Sequence, residues 1–237
     1  MKFVTPDLTD KRIAYAATRL ERDGMIKVEK EENADFILLG VNPDTAYTRT
    51  KLPVFAGNIR ADNVFDYTEN ENFALQNAAI TAECALAVAI ENSDNSLLNA
   101  GVLITGYGRI AKALHDILLP LTKRITVCAR SSNALTLAAC KGANAVPLEM
   151  LAGNLAADYI FNTVPHPVFN APEITAMRRD TLLIDLASFP GGVDRHMARA
   201  KGIRLTEARG LPAKYAPKAA GNAVAEAVEE MIKEVFH

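Results

Sequence analysis

The sequence predicts a two-domain α/β protein in which a doubly wound parallel-sheet domain follows a smaller α/β domain. Three observations support this prediction. Beyond residue 100, six short β-branched runs alternate with helical patterns, as in βαβ units. The first 95 residues show a weaker alternation of the same kind. The chain has 237 residues, of which 49% are hydrophobic, so it is long and apolar enough to bury a core in each domain.

The six predicted strands of the larger domain are short and apolar. They are Val102–Thr105, Ile125–Ala129, Ala145–Val146, Tyr159–Asn162, Leu182–Leu186 and Ile203–Thr206. Helices are predicted between them at 109–120, 132–141, 148–153, 173–179 and 194–201. Two of these helices are followed by a glycine, Gly142 or Gly202, which is a common helix stop. Six strands are enough for a complete dinucleotide-binding domain of the Rossmann type.

The first domain is predicted from fewer elements. These are a helix at 10–23, strands at Phe36–Leu39 and Pro53–Ala56, and an apolar helix at 78–92 that ends in a polar break. Ile13, Ala17 and Leu20 share one face of the first helix. We therefore divide the chain into a small N-terminal α/β domain with its connecting helix (1–95), the Rossmann domain (96–217) and a last helix (218–237) that packs back on the first domain.

Composition and spacing exclude several functions. The formal net charge is −2 with no block of like charge, so the basic patch of a nucleic-acid binder is missing. Three cysteines without CxxC spacing indicate a reducing cytoplasm, and the N-terminus lacks the apolar core of a signal peptide. The apolar stretch Ala78–Ile90, interrupted by Thr81 and Glu83, is expected to be too short to span a membrane. No metal site is expected, because the histidines are dispersed: His115, His166, His196 and His237.

A glycine-rich turn follows the first strand of the larger domain. Its residues are Gly106, Tyr107, Gly108, Arg109, Ile110 and Ala111, a GxGxxA pattern that opens a helix. Gly106 permits the tight turn, Gly108 lets the backbone approach a pyrophosphate, and Ala111 keeps the helix close to the strand. Free N–H groups at the start of the helix bind the anion. The turn therefore predicts a dinucleotide site, with a plain structural turn as the alternative.

The end of the next strand indicates which dinucleotide is bound. Sites for NAD usually place Asp or Glu about 20 residues after the glycine turn, where the carboxylate binds the ribose 2′-hydroxyl. This chain has Arg130, Ser131 and Ser132 there. A guanidinium and two hydroxyls suit a 2′-phosphate, which a carboxylate would repel. We therefore predict NADP(H), with an ordinary solvated arginine as the alternative.

Two further strand ends are predicted to face the nicotinamide half of the cofactor. Open α/β sheets bind ligands at the carboxyl ends of their strands. The residues are Asn162, Thr163, Val164 and Pro165 after the fourth strand, and Asp185, Leu186, Ala187 and Ser188 after the fifth. The turn cluster Phe189–Gly192 that follows either contacts the ligand or is only a structural turn.

Few side chains are candidates for catalysis. His166, just beyond the fourth-strand loop, is either a general acid or base or only a loop residue. Glu83 lies on an otherwise apolar helix, where a carboxylate is costly unless it lines a cleft or reaches solvent. Lys218, beside Pro217 at the start of the last helix, is the best candidate to bind an anionic substrate, and Arg195 is a weaker one. A solvated Lys218 is the alternative.

Several segments together resemble one family. They are 77–83 (NAAITAE), Gly106–Arg109, Ala129–Ser132, Asn162–Pro165, Ile184–Ser188, Pro190–Asp194, Gly210–Pro212, Ala216–Lys218 and Gly221. The family is the A subunit of dipicolinate synthase, which makes the calcium-chelating acid of bacterial endospores. The resemblance covers the chain from about 77 to 222 and includes segments that have no role in a generic dinucleotide fold.

The resemblance implies a two-domain dehydrogenase, similar in build to the 2-hydroxyacid dehydrogenases. It would oxidise a dihydrodipicolinate-type substrate to dipicolinate (pyridine-2,6-dicarboxylate) with NADP during sporulation. A flavoprotein B subunit is the implied partner, and we expect a homo-oligomer. The resemblance assigns substrate-side positions to Asn77, Thr81, Glu83, Ser188 and Lys218. Together with the candidates above, this predicts Glu83, His166 and Lys218 as the catalytic residues.

Three other functions remain open. The first is another NADP-linked dehydrogenase of 2-hydroxyacid type, although the sequence shows no evident Arg, Glu and His set for that chemistry. The second is a non-catalytic NADP-binding subunit or sensor, because the first domain is shorter than the family resemblance implies. The third is an α/β protein whose glycine turn holds no nucleotide.

Overall fold

The chain folds into two compact units in a computed structural model that describes residues 1–236. The terminal unit contains Met1–Ile80 and the chain from Pro212 onward, and the central unit contains Thr81–Leu211. Each unit is built on one sheet, of five strands in the terminal unit and six in the central unit. All the paired strands of the described residues run parallel. The predicted fold class, two parallel-sheet α/β domains, is confirmed.

The terminal unit begins with a sheet of short strands. Its elements are β1 (Lys2–Val4), α1 (Lys11–Arg22), β2 (Ile26–Lys27), β3 (Phe36–Val41), β4 (Val54–Gly57), β5 (Val64–Asp66) and the first part of α2 (Glu71–Glu91). The strand order is β2-β1-β3-β4-β5. The sequence analysis missed β1, β2 and β5, because two or three residues are too few to show a strand pattern.

The central unit contains the doubly wound sheet. After α2 come β6 (Val102–Thr105), α3 (Arg109–Leu118), β7 (Ile125–Ala129), α4 (Ser132–Cys140), β8 (Asn144–Pro147), a 3₁₀ helix (Leu148–Asn154), β9 (Tyr159–Asn162), α5 (Ala171–Ala176), β10 (Leu182–Asp185), α6 (Arg195–Lys201) and β11 (Arg204–Glu207). The strand order is β11-β10-β9-β6-β7-β8. Gly142 and Gly202 follow α4 and α6 with positive φ, as helix stops.

Two helices end the chain, α7 (Leu211–Tyr215) and α8 (Pro217–Val235), and α8 packs along α1 in the terminal unit. Gly221 lies where these two helices meet. A Cβ at this position would be 2.7 Å from Tyr15 Cβ and 3.0 Å from Ala16 N, so only glycine permits the close approach. The shared core contains three buried rings on neighbouring strands. They are Phe3, Phe36 and Phe55, whose consecutive centroids are 5.6 and 5.3 Å apart.

The ends of some elements differ from the sequence predictions. Helix α2 begins at Glu71 rather than at 78, because the Asn70 side chain accepts a hydrogen bond from Phe73 N at 2.9 Å and caps the helix. The compact units divide after Ile80, within α2, and after Leu211, whereas the sequence predicts boundaries after 95 and 217. Helix α5 begins at 171 rather than 173, where a capping box starts it. The helix expected at 148–153 is a 3₁₀ helix.

Helix α2 has 21 residues and is long and apolar enough to cross a membrane by length and composition alone. The expectation from the sequence concerned only the shorter stretch Ala78–Ile90, which the helix extends toward its N-terminus. The observation is weak evidence for a membrane span, because the core helix of a soluble protein passes the same test. Several of its residues are buried within the protein, namely Ala78, Ala82, Ala85, Val88 and Ala89.

Candidate functional site

The predicted ligand-binding loops lie along one edge of the central sheet. Strands β7, β6, β9 and β10 are neighbours in that order, and all are parallel, so their carboxyl ends meet at the same edge. The register pairs Thr105 with Asn162, and Asn162 with Asp185. The strand order reverses between β6 and β9, because the chain continues from β6 to β7 on one side and from β9 to β10 on the other. Doubly wound sheets bind ligands at such a switch point.

The glycine turn at the end of β6 has a shape that suits a pyrophosphate. Gly106 has a φ of +84°, and a Cβ there would be 2.6 Å from Thr163 Oγ1, so this position requires glycine. Gly108 is the N-cap of α3, and no atom lies within 4 Å of the place its Cβ would take. As a glycine, Gly108 has no side chain that could cap this end of α3. The backbone is therefore open to an anion at the start of the helix.

Tyr107, between the two glycines, points into the protein. The side chain is buried, and its hydroxyl lies 2.8 Å from His115 Nδ1 on α3. Burial raises the pKa of Tyr107 and lowers the pKa of His115. His115 Nε2 has no hydrogen-bond partner among the described residues. Tyr107 therefore joins the turn to α3, while Arg109 is exposed and Ile110 is half-buried.

The predicted 2′-phosphate residues follow β7. Arg130 is exposed, and it forms no ion pair with any described residue. Ser131 is the N-cap of α4, and its hydroxyl accepts a hydrogen bond from Ala134 N at 3.4 Å. Ser132 is exposed at the start of the same helix. The guanidinium is thus available to a ligand, whereas Ser131 already has a structural role.

The sequence predicts that Asn162 and Asp185 face a ligand, but in the structure their side chains are buried and bind each other. Their side chains are 0% and 2% exposed, and Asn162 Nδ2 donates to Asp185 Oδ1 at 2.7 Å. Asn162 Oδ1 accepts hydrogen bonds from Thr105 Oγ1 at 2.6 Å and from Val164 N at 3.1 Å. Because these polar groups are satisfied by the protein, the two side chains act on the site through the loops that they hold.

The remaining loop residues are partly accessible. Thr163 and Val164 are half-buried, and Thr163 Oγ1 donates to Thr105 O at 2.8 Å. Pro165 and Ser188 are exposed, whereas Leu186 and Ala187 are buried. The sheet edge therefore offers a ligand mainly backbone groups, which suits the nicotinamide half of a dinucleotide.

The predicted catalytic residues come from both units and are all exposed. His166 is exposed in the loop after β9 of the central unit, and Glu83 is exposed on α2, so solvent relieves the burial cost that the sequence suggested for that carboxylate. Thr81 is buried on α2 of the central unit, whereas Asn77 and Lys218 belong to the terminal unit. Lys218 is exposed in the first turn of α8. Arg195 pairs with Glu207 at 2.5 Å.

Three residues to which the sequence gave no individual role contribute to this edge. Thr105 is the buried hydroxyl that binds Asn162. Gly192 N donates to Asp185 Oδ2 at 3.3 Å, and a Cβ at Gly192 would be 2.5 Å from Val164 O. Arg209 binds two carbonyls of the loop after β10. Only the Gly191-Gly192 pair gave a signal in the sequence, because a double glycine after a strand often marks close backbone contact.

The described residues contain no group of three or more His, Cys, Asp or Glu side chains that is arranged to hold a metal ion. His237 lies outside the described residues.

No protein-family model matches the chain. In sequence it is similar to the A subunit of dipicolinate synthase from Bacillus subtilis (strain 168), with 30% identity over 168 residues. The matched region is 70% of this chain and 57% of that relative, so it spans little more than half of the relative's length.

The fold is similar to crystal structures of the dipicolinate synthase A subunit. The structure from Bacillus halodurans has 25% identity and a TM-score of 0.83, and the match covers 98% of this chain and 97% of that one. The Bacillus subtilis structure has 23% identity and a TM-score of 0.84, with coverage of 100% and 97%. The resemblance to the dipicolinate synthase A subunit that the sequence predicts is therefore confirmed.

Two other solved structures share the fold at lower identity. A transhydrogenase from Sinorhizobium meliloti has 13% identity and a TM-score of 0.79, and the match covers 99% of this chain and 94% of that one. An L-alanine dehydrogenase has 12% identity and a TM-score of 0.72, with coverage of 100% and 90%. The chain thus has a dehydrogenase-like fold.

Proposed function

We propose that this chain is an NADP-dependent oxidoreductase that acts as a dipicolinate synthase A subunit. The observation that carries the proposal is the similarity to that subunit in sequence and in fold. It is supported by the open glycine turn at Gly108, at the switch point of the sheet, where a dehydrogenase-like fold binds its cofactor.

The residues present fit NADP. The backbone from Gly106 to Ile110 and the first turn of α3 would hold the pyrophosphate, because Gly108 leaves open space beside free N–H groups. Arg130, with the nearby Ser131 and Ser132, would hold the 2′-phosphate. The loops after β9 and β10 would flank the nicotinamide.

In the proposed reaction, the bound nicotinamide would accept a hydride from dihydrodipicolinate and a base would take a proton, which would give dipicolinate, NADPH and H⁺. Glu83 and His166 are our candidates for the base, and both are exposed to solvent. Lys218 is our candidate to bind a substrate carboxylate, because it lies in the first turn of a long helix, where the helix dipole also favours anions. Asn77, Thr81 and Ser188 complete the proposed substrate contacts.

The same similarity suggests the partners and the setting. We propose that the chain works in the cytoplasm with the flavoprotein B subunit of dipicolinate synthase, as a homo-oligomer, during sporulation. The similarity to the A subunit supports the existence of a partner subunit.

The test is dipicolinate formation from enzymatically generated dihydrodipicolinate with NADP, with and without the flavoprotein. We expect the wild-type chain to form dipicolinate and NADPH in equal amounts. Gly108→Ala is the negative control, because it changes only the open turn and should form less of both products. NADPH binding without dipicolinate under either condition would contradict the proposed reaction and favour a cofactor-binding subunit without its own turnover.

A further inference from the structure

The segment that follows β10 is tied down at both ends. Its residues, Ala187–Gly192, are called the β10 loop below. Asp185, at the end of β10, accepts hydrogen bonds from Ala187 N and from Gly192 N, each at 3.3 Å. Gly191 N also donates to Ser188 O at 2.8 Å within the loop. One buried carboxylate therefore fixes the start and the end of the loop.

Arg209 bridges two carbonyls of the same loop. Its Nε donates to Ala187 O and its Nη2 donates to Pro190 O, both at 3.1 Å. These two carbonyls flank Ser188 and Phe189. The planar guanidinium presents its donors in a fixed fork, so it holds the two carbonyls at a set separation in a way that a lysine or a methionine does not.

Both of these groups also lie close to Gly191 in the loop. A Cβ at Gly191 would be 2.5 Å from Arg209 Nη2 and 2.8 Å from Asp185 Oδ2. Glu207 Oε1 lies 3.6 Å from Arg209 Nη2 and forms an ion pair with this guanidinium. The loop conformation is therefore set by side chains that do not themselves lie at its tip.

The effect of this arrangement is to expose an aromatic ring at the ligand-binding edge. Phe189 is 84% exposed, although Leu186, Ala187 and Gly191 around it are buried. The loop follows β10, next to β9 and the switch point of the sheet. An aromatic face held in this place suits stacking or edge contact with another planar ring.

We propose that Arg209 is a positioning residue, which holds the β10 loop so that Phe189 contacts a planar nitrogen heterocycle. This inference rests on the proposed function, which supplies two such rings, the nicotinamide of NADP and the ring of the substrate. Arg209 acts through the loop, and Phe189 sets the preference for a flat ring.

The experiment compares Arg209→Met, Arg209→Lys and Phe189→Ala with the wild-type chain. Arg178→Met is the matched control, because Arg178 is a partly exposed arginine of the same unit whose charge is paired with Asp180 rather than with a loop carbonyl. Hydrogen exchange at the β10 loop of the ligand-free protein measures how firmly Arg209 holds the loop. NADPH affinity and the KM and kcat for dipicolinate formation measure the contact between Phe189 and the ring of the ligand.

We expect Arg209→Met to speed amide exchange at Gly191 and Gly192 and to lower turnover by about 10- to 100-fold, because small displacements at a reacting centre have effects of this size. Arg209→Lys should recover part of the loss. Phe189→Ala should raise KM or the NADPH dissociation constant by about 10-fold without faster exchange. A change in NADPH affinity identifies the nicotinamide as the ring, whereas a change in KM alone identifies the substrate.

Two results would overturn the inference while the proposed function stands. One is loop exchange that does not change in Arg209→Met. The other is faster exchange with turnover and NADPH affinity equal to those of Arg178→Met. A wild-type chain that binds no NADPH and forms no dipicolinate would instead refute the proposed function, and the positioning role would fall with it.

Discussion

The two units of this protein are both built on parallel sheets, and one glycine from each unit shows two opposite uses of this residue. In the terminal unit, Gly221 lies where α8 meets α1, and a Cβ there would be 2.7 Å from Tyr15 Cβ. In the central unit, Gly108 opens α3 with no atom within 4 Å of its missing side chain. One glycine is required by neighbouring protein, and the other leaves a space. The comparison shows how to separate residues that stabilise this fold from residues that leave room for a ligand.

The largest expected effect is on the terminal unit. Gly221→Ala would force α1 and α8 apart, so we expect it to lower the free energy of unfolding by about 1–3 kcal/mol. Thermal and chemical denaturation measure this loss. An unchanged melting temperature would show that the helices separate freely, and it would remove the contrast between the two glycines.

The matching change in the central unit should leave stability intact. Gly108 has a φ of −80°, which alanine also adopts, so Gly108→Ala should keep the wild-type melting temperature. Its Cβ would occupy the space proposed for the pyrophosphate, so we expect NADPH to bind about 10- to 100-fold more weakly. Titration calorimetry measures the affinity. Equal NADPH affinity in the variant and the wild type would place the phosphates elsewhere.

The two units also differ in how much of them the sequence predicts. The four inner strands of the central sheet were predictable because each is an apolar run, such as Val102–Thr105 before Gly106. In the terminal unit, β2 has two residues and its core is completed by α8 from the other end of the chain. Such long-range packing leaves no local pattern in the sequence.

The next prediction concerns the choice of cofactor at the end of β7. Arg130→Asp should weaken NADPH binding about 10-fold or more and change NADH binding much less, because a carboxylate repels the 2′-phosphate and accepts a hydrogen bond from a 2′-hydroxyl. Arg124→Asp at the opposite end of β7 is the control, because Arg124 lies just before the strand. Equal losses for both cofactors would count against a role of Arg130 in selecting the phosphate.

The smallest expected effect is a pH dependence at the glycine turn. Burial lowers the pKa of His115 below its ordinary value of 6.5, so protonation favours the unfolded chain. The free energy of unfolding is therefore highest above pH 6.5 and decreases as the pH falls below that value. Asp116 opposes this shift of the pKa and Lys141 adds to it. Between about pH 7.5 and about pH 5.5, we expect the melting temperature to fall more steeply in the wild type than in His115→Gln. Parallel curves would contradict this assignment.

The candidate site was predictable in position but not in the role of each residue. The motif at Gly106–Ala111 and the strand ends locate the edge, because the topology of alternating units fixes where carboxyl ends meet. The sequence does not show that Asn162 and Asp185 face each other, since their contact depends on the register of β9 and β10. It also does not show that Arg209 reaches back to the β10 loop, 19 and 22 residues away along the chain.

The most direct test of the central claim is a titration of the wild-type chain with NADPH and with NADH. We expect NADPH to bind to one site per chain and more tightly than NADH, with about 10- to 100-fold weaker binding in Gly108→Ala and unchanged binding in Arg178→Met. Absence of binding by either nucleotide, to a chain whose melting curve shows that it is folded, would mean that the glycine turn is a structural turn alone.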